Sequence, residues 1–111
     1  MRRNGQDALP HYIMALRGGD SAMRENAARA VGAFGVLAAP ALAELRGCLG
    51  DEEADVRRWS VWAIGRIGPQ ASEAMADLQA CLQDPEPAVR EAADEAIERI
   101  QGRWDPNKWK V

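Results

Sequence analysis

Few of the 111 residues could do covalent or proton-transfer chemistry. The single histidine, His11, follows Asp7 by four residues, a spacing that suits an exposed ion pair on a helix better than a general base. Ser21 falls at an expected helix start and Ser60 in an expected helix core, with no histidine in sequence reach to activate either. The two cysteines, Cys48 and Cys81, have no cluster of further ligands beside them, so they read as small buried apolar residues and not as a metal site. No phosphate-binding loop, dinucleotide fingerprint or zinc spacing occurs. The expectation is a protein that is not an enzyme and has no cofactor and no metal.

Recognition chemistry is better supplied. RRWSVWAIGRIG, residues 57–68, carries two of the four tryptophans, Trp59 and Trp62, with Arg57, Arg58 and Arg66. Exposed aromatic rings beside arginine are the composition of a binding hot spot, because the ring supplies area at low entropic cost and the guanidinium supplies directed donors. Whether these rings are exposed depends on the element that carries them.

That element belongs to a repeat. A shift of 33 residues lays the chain on itself: Arg24, Arg57 and Arg90 superpose, then Ala30, Ala63 and Ala96, Val31, Ile64 and Ile97, and Phe34, Ile67 and Ile100. Gly32 matches Gly65, and Gly35 matches Gly68. An earlier segment also repeats, with Leu9, Leu42 and Met75, Tyr12, Leu45 and Leu78, and Leu16, Leu49 and Leu82 in register. Val56, Ser60, Ala63, Ile64 and Ile67 keep one face of a 3.6-residue period, and no stretch alternates as a half-buried strand would. Gly35 and Gly68 suit the position just past a helix end, and Pro40, Pro69, Pro85 and Pro87 sit where a missing N–H costs little. The spacing predicts six helices over 7–17, 21–34, 38–49, 53–67, 71–82 and 86–101. They form three two-helix units over 7–35, 38–68 and 71–101, in a single domain spanning 1–101 with a tail over 102–111.

The repeat also explains polar residues. Asp51 and Asp84 each precede their arginine, Arg57 or Arg90, by six residues, so a ladder of hydrogen bonds between units is expected. Cys48 and Cys81 occupy equivalent positions of successive units, and helices stacked about 8–10 Å apart hold them beyond disulfide reach.

The pattern V-R-x-x-(A/S)-x-x-A-(I/V)-G-x-(I/F)-G, read as VRRWSVWAIGRIG at 56–68, resembles the short bacterial HEAT-like repeats first associated with phycobilisome lyases. RENAARAVGAFG at 24–35 and VREAADEAIERI at 89–100 are its companions, the last with Glu98 and Gln101 in place of the glycines, as a terminal repeat can have. The resemblance implies an all-α, right-handed solenoid and a protein-binding adaptor or scaffold, with a bilin lyase component or chaperone-like subunit as the alternative. The tetrapyrrole propionates of the lyase reading would meet Arg29 and Arg66. The His-Glu metal pairs of HEAT-type hydroxylases are missing, and the acidic balance with no basic groove argues against a HEAT-type DNA glycosylase.

With Val56, Ser60, Ala63 and Ile67 pointing inward, a rotation of about 100° per residue puts Trp59 about 80° from that axis, a boundary position, and Trp62 about 140° from it, facing out. Asp55 and Arg66 fall in the same sector, and Asn26, Arg29, Ala92, Glu95 and Arg99 hold the neighbouring places in adjacent units. The resemblance makes this the concave, ligand-contacting face. The expected partner surface is therefore Trp59, Trp62, Arg58, Arg66, Asn26, Arg29, Glu95 and Arg99, holding a peptide or protein; the competing reading has both tryptophans packing between units or against arginine.

Two ends remain. The last helix is polar outside, with Glu86, Arg90, Glu91, Asp94, Glu95 and Glu98, whereas the first shows Pro10, Ile13 and Met14, an apolar edge expected to meet a second copy or another protein. In the tail GRWDPNKWKV, Asp105-Pro106-Asn107 reads as a turn, and Trp104 and Trp109 read as a cap or a docking segment. A formal charge of −3 argues against duplex nucleic acid as the default partner, and the lack of a long apolar run predicts a soluble cytoplasmic chain with no membrane partner.

Overall fold

The computed structural model describes residues 8–107. Asp7, Lys108, Trp109 and Lys110 lie outside the described residues, and with them the expected His11–Asp7 pair and half of the aromatic tail.

Helix α1 runs Leu9–Arg17 with Pro10 in its first turn, where no N–H is needed. Asp20 caps α2 (Ser21–Ala33), its carboxylate accepting from the Met23 N–H at 2.9 Å, so Ser21 is the first helical residue and not the cap. Then come α3 (Leu42–Gly47), α4 (Ala54–Ile67), α5 (Met75–Cys81) and α6 (Pro87–Ile100). The helices expected over 38–49 and 71–82 are each α-helical only in part. Gly35–Ala41 and Gly68–Ala74 wind as 3-10 helix ahead of α3 and α5, and Cys48–Gly50 tightens the same way after α3. Over one or two turns the 3.0 and 3.6 periods nearly coincide, so apolar spacing does not separate them; Pro40 and Pro69, which cannot donate, sit within the tighter turns. Gly35 and Gly68 end α2 and α4 at φ +60° and +83°, as expected. The described residues are helical and contain no strand.

Helix α1 packs on α2, α3 on α4 and α5 on α6, while α4 lies between α2 and α6. This middle position explains why α4 is buried beyond its one predicted face. Val56, Ser60, Ala63, Ile64 and Ile67 are buried as the period requires, and Val61 and Gly65 are buried as well because both flanks are covered. Leu45, Ile64, Ile67 and Leu78 are the largest fully buried side chains, each worth about 2 kcal/mol of apolar burial. The helices meet almost backbone to backbone at two glycines. A methyl group added at Gly32 would run into the Trp62 ring and lie 3.2 Å from the Ala63 Cα; one added at Gly65 would lie 2.8 Å from the Ala96 Cα. The third copy has Glu98 at this position, where no described helix follows to be accommodated.

The arginine ladder forms between successive units. Arg24 Nε donates to Asp51 Oδ2 at 2.6 Å, and Arg57 donates to both Asp84 carboxylate oxygens at 2.9 and 3.1 Å. Each arginine also donates to the carbonyl six or five residues before it: Arg57 to Asp51, Arg90 to Asp84, Arg24 to Gly19. Arg90 stops there, exposed, with no carboxylate partner among the described residues. A second set, Arg17–Glu44 and Arg46–Asp77, joins the first helices of the units; these arginines occupy different places in their copies, so the 33-residue register does not reveal them.

The Arg57 hydrogen bonds, opposed by burial and helped by the Glu86 N–H, hold the Asp84 carboxyl below its ordinary value. Burial pushes Asp51 the other way, but the Arg24 and Glu53 N–H bonds outweigh it and Asp51 is lowered too. A depressed folded value means the stabilisation is complete above the ordinary carboxylate pKa of about 3.9 and is lost as pH falls through the lower folded value. Asp84→Asn is expected to cost about 2 kcal/mol at neutral pH and to make urea stability less steep below about pH 4. Gly65→Ala is expected to destabilise by about 1–3 kcal/mol in the same assay through overpacking on α6. Gly47→Ala, where the added methyl meets nothing within 4 Å and φ is −60°, is expected to gain about 0.5–1 kcal/mol.

Candidate functional site

Among the described residues, none of those with covalent chemistry is assembled into a catalytic set. His11 is exposed on α1. Ser60 is fully buried on α4, its hydroxyl without a hydrogen-bond partner among the described residues, and Ser72, which the sequence reading passed over, is exposed in the 3-10 segment. Cys48 and Cys81 are free and buried as expected, and burial pushes both thiols above their ordinary range, the direction of an unreactive thiol. Cys48 Sγ donates to the Leu16 carbonyl at 3.4 Å. No group of three or more metal-ligating side chains occurs among the described residues.

Most of the residues expected to form a partner surface lie together. Because α4 is the middle helix, its outer edge carries Trp59 and Trp62 as a ridge between two grooves. On the α6 side a groove of 330 Å³ is lined by Arg58, Trp59 and Trp62 against Ala88, Glu91, Ala92, Glu95, Ala96 and Arg99. On the α2 side a shallower depression of 530 Å³ is lined by Asn26, Arg29 and Ala30 against the same two indoles. The neighbouring places read from the 33-residue register therefore sit beside the tryptophans, as expected. Asn26 and Arg29 are exposed, Glu95 and Arg99 half-buried.

The rings meet edge to face, centroids 5.2 Å apart at 89°. The guanidiniums of Arg29 and Arg58 lie 4.9 and 4.5 Å from the centre of the Trp59 ring, so one comes from α2 and the other from α4 itself. Arg66 approaches Trp62 at 5.8 Å. Such contacts hold a ring and an arginine in place at about 1 kcal/mol each while leaving the guanidinium edges free to donate. Trp59 is a boundary residue, as the helical rotation predicts, with its Nε1 covered and unpartnered among the described residues.

Trp62 departs from expectation. It is half-buried and does not face out, because a single inward axis neglects α2, whose side-chain-free Gly32 lets the indole lie on its backbone. Asp55 pairs with Arg58 at 3.6 Å one turn on and does not belong to the stripe's far end. Arg66 is exposed and lines neither groove.

At the first-helix edge, Pro10 and Met14 are exposed, Met14 at 68%, but Ile13 is half-buried and packs on the core beside Tyr12, which removes it from that edge. Val36 and Leu37, also exposed, were not predicted; a 3-10 connection has no long amphipathic period to announce them. After α6 the chain folds back. The Trp104 N–H donates to the Glu98 carbonyl at 3.1 Å and its ring stacks under Arg99 at 3.7 Å, while Asp105 Oδ1 accepts from the Asn107 N–H at 2.8 Å, closing the expected turn.

The Gly32–Trp62 contact makes a prediction. Trp62→Ala is expected to cost about 2 kcal/mol, near half the loss for a fully buried tryptophan. Gly32→Ala is expected to destabilise the wild type more than it destabilises Trp62→Ala, so a double-mutant cycle read by urea unfolding returns a coupling of about 1 kcal/mol. A coupling near zero would show that the indole does not rest on Gly32.

Comparison with known proteins bears on residues 47–106, which match a family model for HEAT repeats. The matched segment starts at the end of α3 and carries α4, α5, α6 and Trp104, and so contains the ridge and the whole groove on its α6 side. No curated protein matches the chain as a relative. No helix among the described residues is long and apolar enough to cross a membrane. With more than half of its length matched, and with paired helices whose close contacts recur at Gly32 and Gly65, the chain belongs to the HEAT repeat family.

Proposed function

We propose that this chain is a non-enzymatic interaction module, a right-handed solenoid of three two-helix repeats that holds a peptide or a segment of a partner protein along the face made by α2, α4 and α6. The observation that carries the reading is the ridge itself: two indoles locked edge to face, bordered by Arg29, Arg58 and Arg66, with an open groove on either side. Rigid aromatic area next to oriented cationic donors gives affinity at low entropic cost, and a groove on each side offers places for alternating side chains of an extended or helical ligand. HEAT repeats commonly mediate protein–protein contact, which agrees with this use. The groove linings contain no histidine, cysteine or serine, so they offer contacts and charge and no nucleophile–base pair. Three arginines around the rings favour a ligand that brings acidic and apolar side chains together.

The test is a random peptide library displayed against the full chain, with enriched sequences titrated against wild type, Arg29→Glu and Arg66→Glu. Both sites are exposed, so the variants keep the fold. Enrichment of acidic and apolar peptides whose affinity falls at least about tenfold in each variant, or about 1.4 kcal/mol, supports the reading. Peptides that bind the variants equally, or no enrichment at all, would sink it. Visible absorbance developed on mixing with a bilin would instead favour the chromophore alternative.

A further inference from the structure

Two contacts show which positions of a unit are closed by the unit before it. A methyl group at Gly32 or Gly65 would stand 3.2 or 2.8 Å from the Cα of Ala63 or Ala96 in the next unit, and Cys48 Sγ donates to the Leu16 carbonyl of the preceding one. Val56 and Val89, two turns ahead of those alanines on the same side of α4 and α6, are fully buried. The same register positions of the first unit are Ala15, Met23 and Ala30. Ala15 and Ala30 are half-buried and Met23 is 51% exposed, because no described helix pair precedes α1 and α2 to cover them.

The other end of the stack is finished differently. Helix α6 carries Asp94 where the first two units carry the fully buried Ala28 and Val61, and Glu98 where they carry Gly32 and Gly65. Acidic side chains at these places suit water and forbid the close approach that the glycines allow, so α6 closes the stack. The first unit keeps apolar residues at every one of the equivalent outer places, and at the most exposed of them it has methionine, the adaptable side chain of binding surfaces. The face lacks one component of the internal junctions. Gly18 stands where the register places Asp51 and Asp84, and the nearest acid, Asp20, is two positions out of register and caps α2.

We propose that the outer face of α1 and α2 is a docking surface for a helix pair of the same repeat kind, brought by a partner protein, which sets a glycine over Ala30 and covers Met23 and Ala15 with apolar side chains. It docks by shape and apolar contact, without an arginine rung. Continuity selects this occupant, since the face begins the same interface that joins α2 to α4 and α4 to α6. A second copy added head to tail would bring the end closed by Asp94 and Glu98. The surface borders the recognition face at Ala30, which also lines the α2-side depression, but it is read from burial at the end of the stack and does not rest on the use of the tryptophan ridge.

The test supplies such a helix pair on the chain itself. A duplicate of residues 36–68 is joined directly ahead of Arg3, which keeps the 33-residue register and sets a second copy of Gly65 against Ala30. Urea unfolding of this longer chain is expected to be one cooperative transition with a midpoint above that of the original. Met23→Glu is expected not to lower the original chain's midpoint, since the side chain is exposed and a glutamate at the third helical residue suits a helix start, and to abolish the gain in the longer chain. A midpoint no higher in the longer chain, or a separate transition for the added unit, overturns the proposal, and so does a gain that Met23→Glu leaves intact. The original chain decides between occupants. A midpoint lowered by Met23→Glu in the monomer assigns the face to the chain's own N-terminal residues, and a dimer in sedimentation that Met23→Glu splits assigns it to a second copy; either result overturns the partner helix pair.

Discussion

The structure depends on how closely α4 approaches its two flanking helices. At Gly32 and Gly65 the missing side chains let backbone meet Ala63 and Ala96 at distances a methyl group would not permit. That contact brings the buried apolar residues of successive units into one continuous core, from Leu9 and Leu16 to Ile97 and Ile100. It also sets the separation over which Arg24 reaches Asp51 and Arg57 reaches Asp84. The ion pairs then fix the rise from unit to unit, their side chains mostly shielded, so both spacing and register are specified between neighbours.

The same approach creates the candidate site. A tryptophan at position 62 has room on the α2 backbone only because Gly32 carries no side chain, and its ring is thereby held edge-on to Trp59. On the other flank, Ala96 sits against Gly65 and leaves a low alanine floor beside the ridge, which is what opens the groove. Arg29 crosses from α2 to cover Trp59 from outside its own unit, so the ring is supported by two repeats at once. On the proposed function, packing and recognition are not competing uses of these indoles. A half-buried aromatic that is rigidly held is a better anchor than a freely exposed one, since less freedom is lost on binding.

Much of this was legible in the sequence because a repeat states its period outright. The positions of the V-R helices, the glycines that end α2 and α4, the buried cysteines and two rungs of the ladder all follow from a register of 33 residues and the helical period. What was not legible lies where the local pattern is silent about neighbours. The 3-10 starts of the α3 and α5 segments leave the apolar spacing unchanged. The half-burial of Trp62 depends on a glycine thirty residues earlier, so treating α4 as a helix with one buried face misplaces it. Ile13 turns inward for the same reason, as part of a first helix whose partner is α2 as well as the core. In the Arg17–Glu44 and Arg46–Asp77 pairs the two acids keep the register of 33 residues but the two arginines do not, so the pairs leave no repeated arginine–acid signal.

The most direct test of the α2, α4 and α6 face as the recognition surface is chemical-shift mapping by two-dimensional nitrogen–proton NMR while a peptide ligand is titrated in. The account predicts that the indole N–H signals of Trp59 and Trp62 move, with the backbone amides of Asn26, Arg29, Ala92 and Glu95, while those of α1, α3 and α5 stay in place. Shifts gathered on α1 around Pro10 and Met14, with the indole signals unmoved, would contradict it and assign the ridge to packing alone.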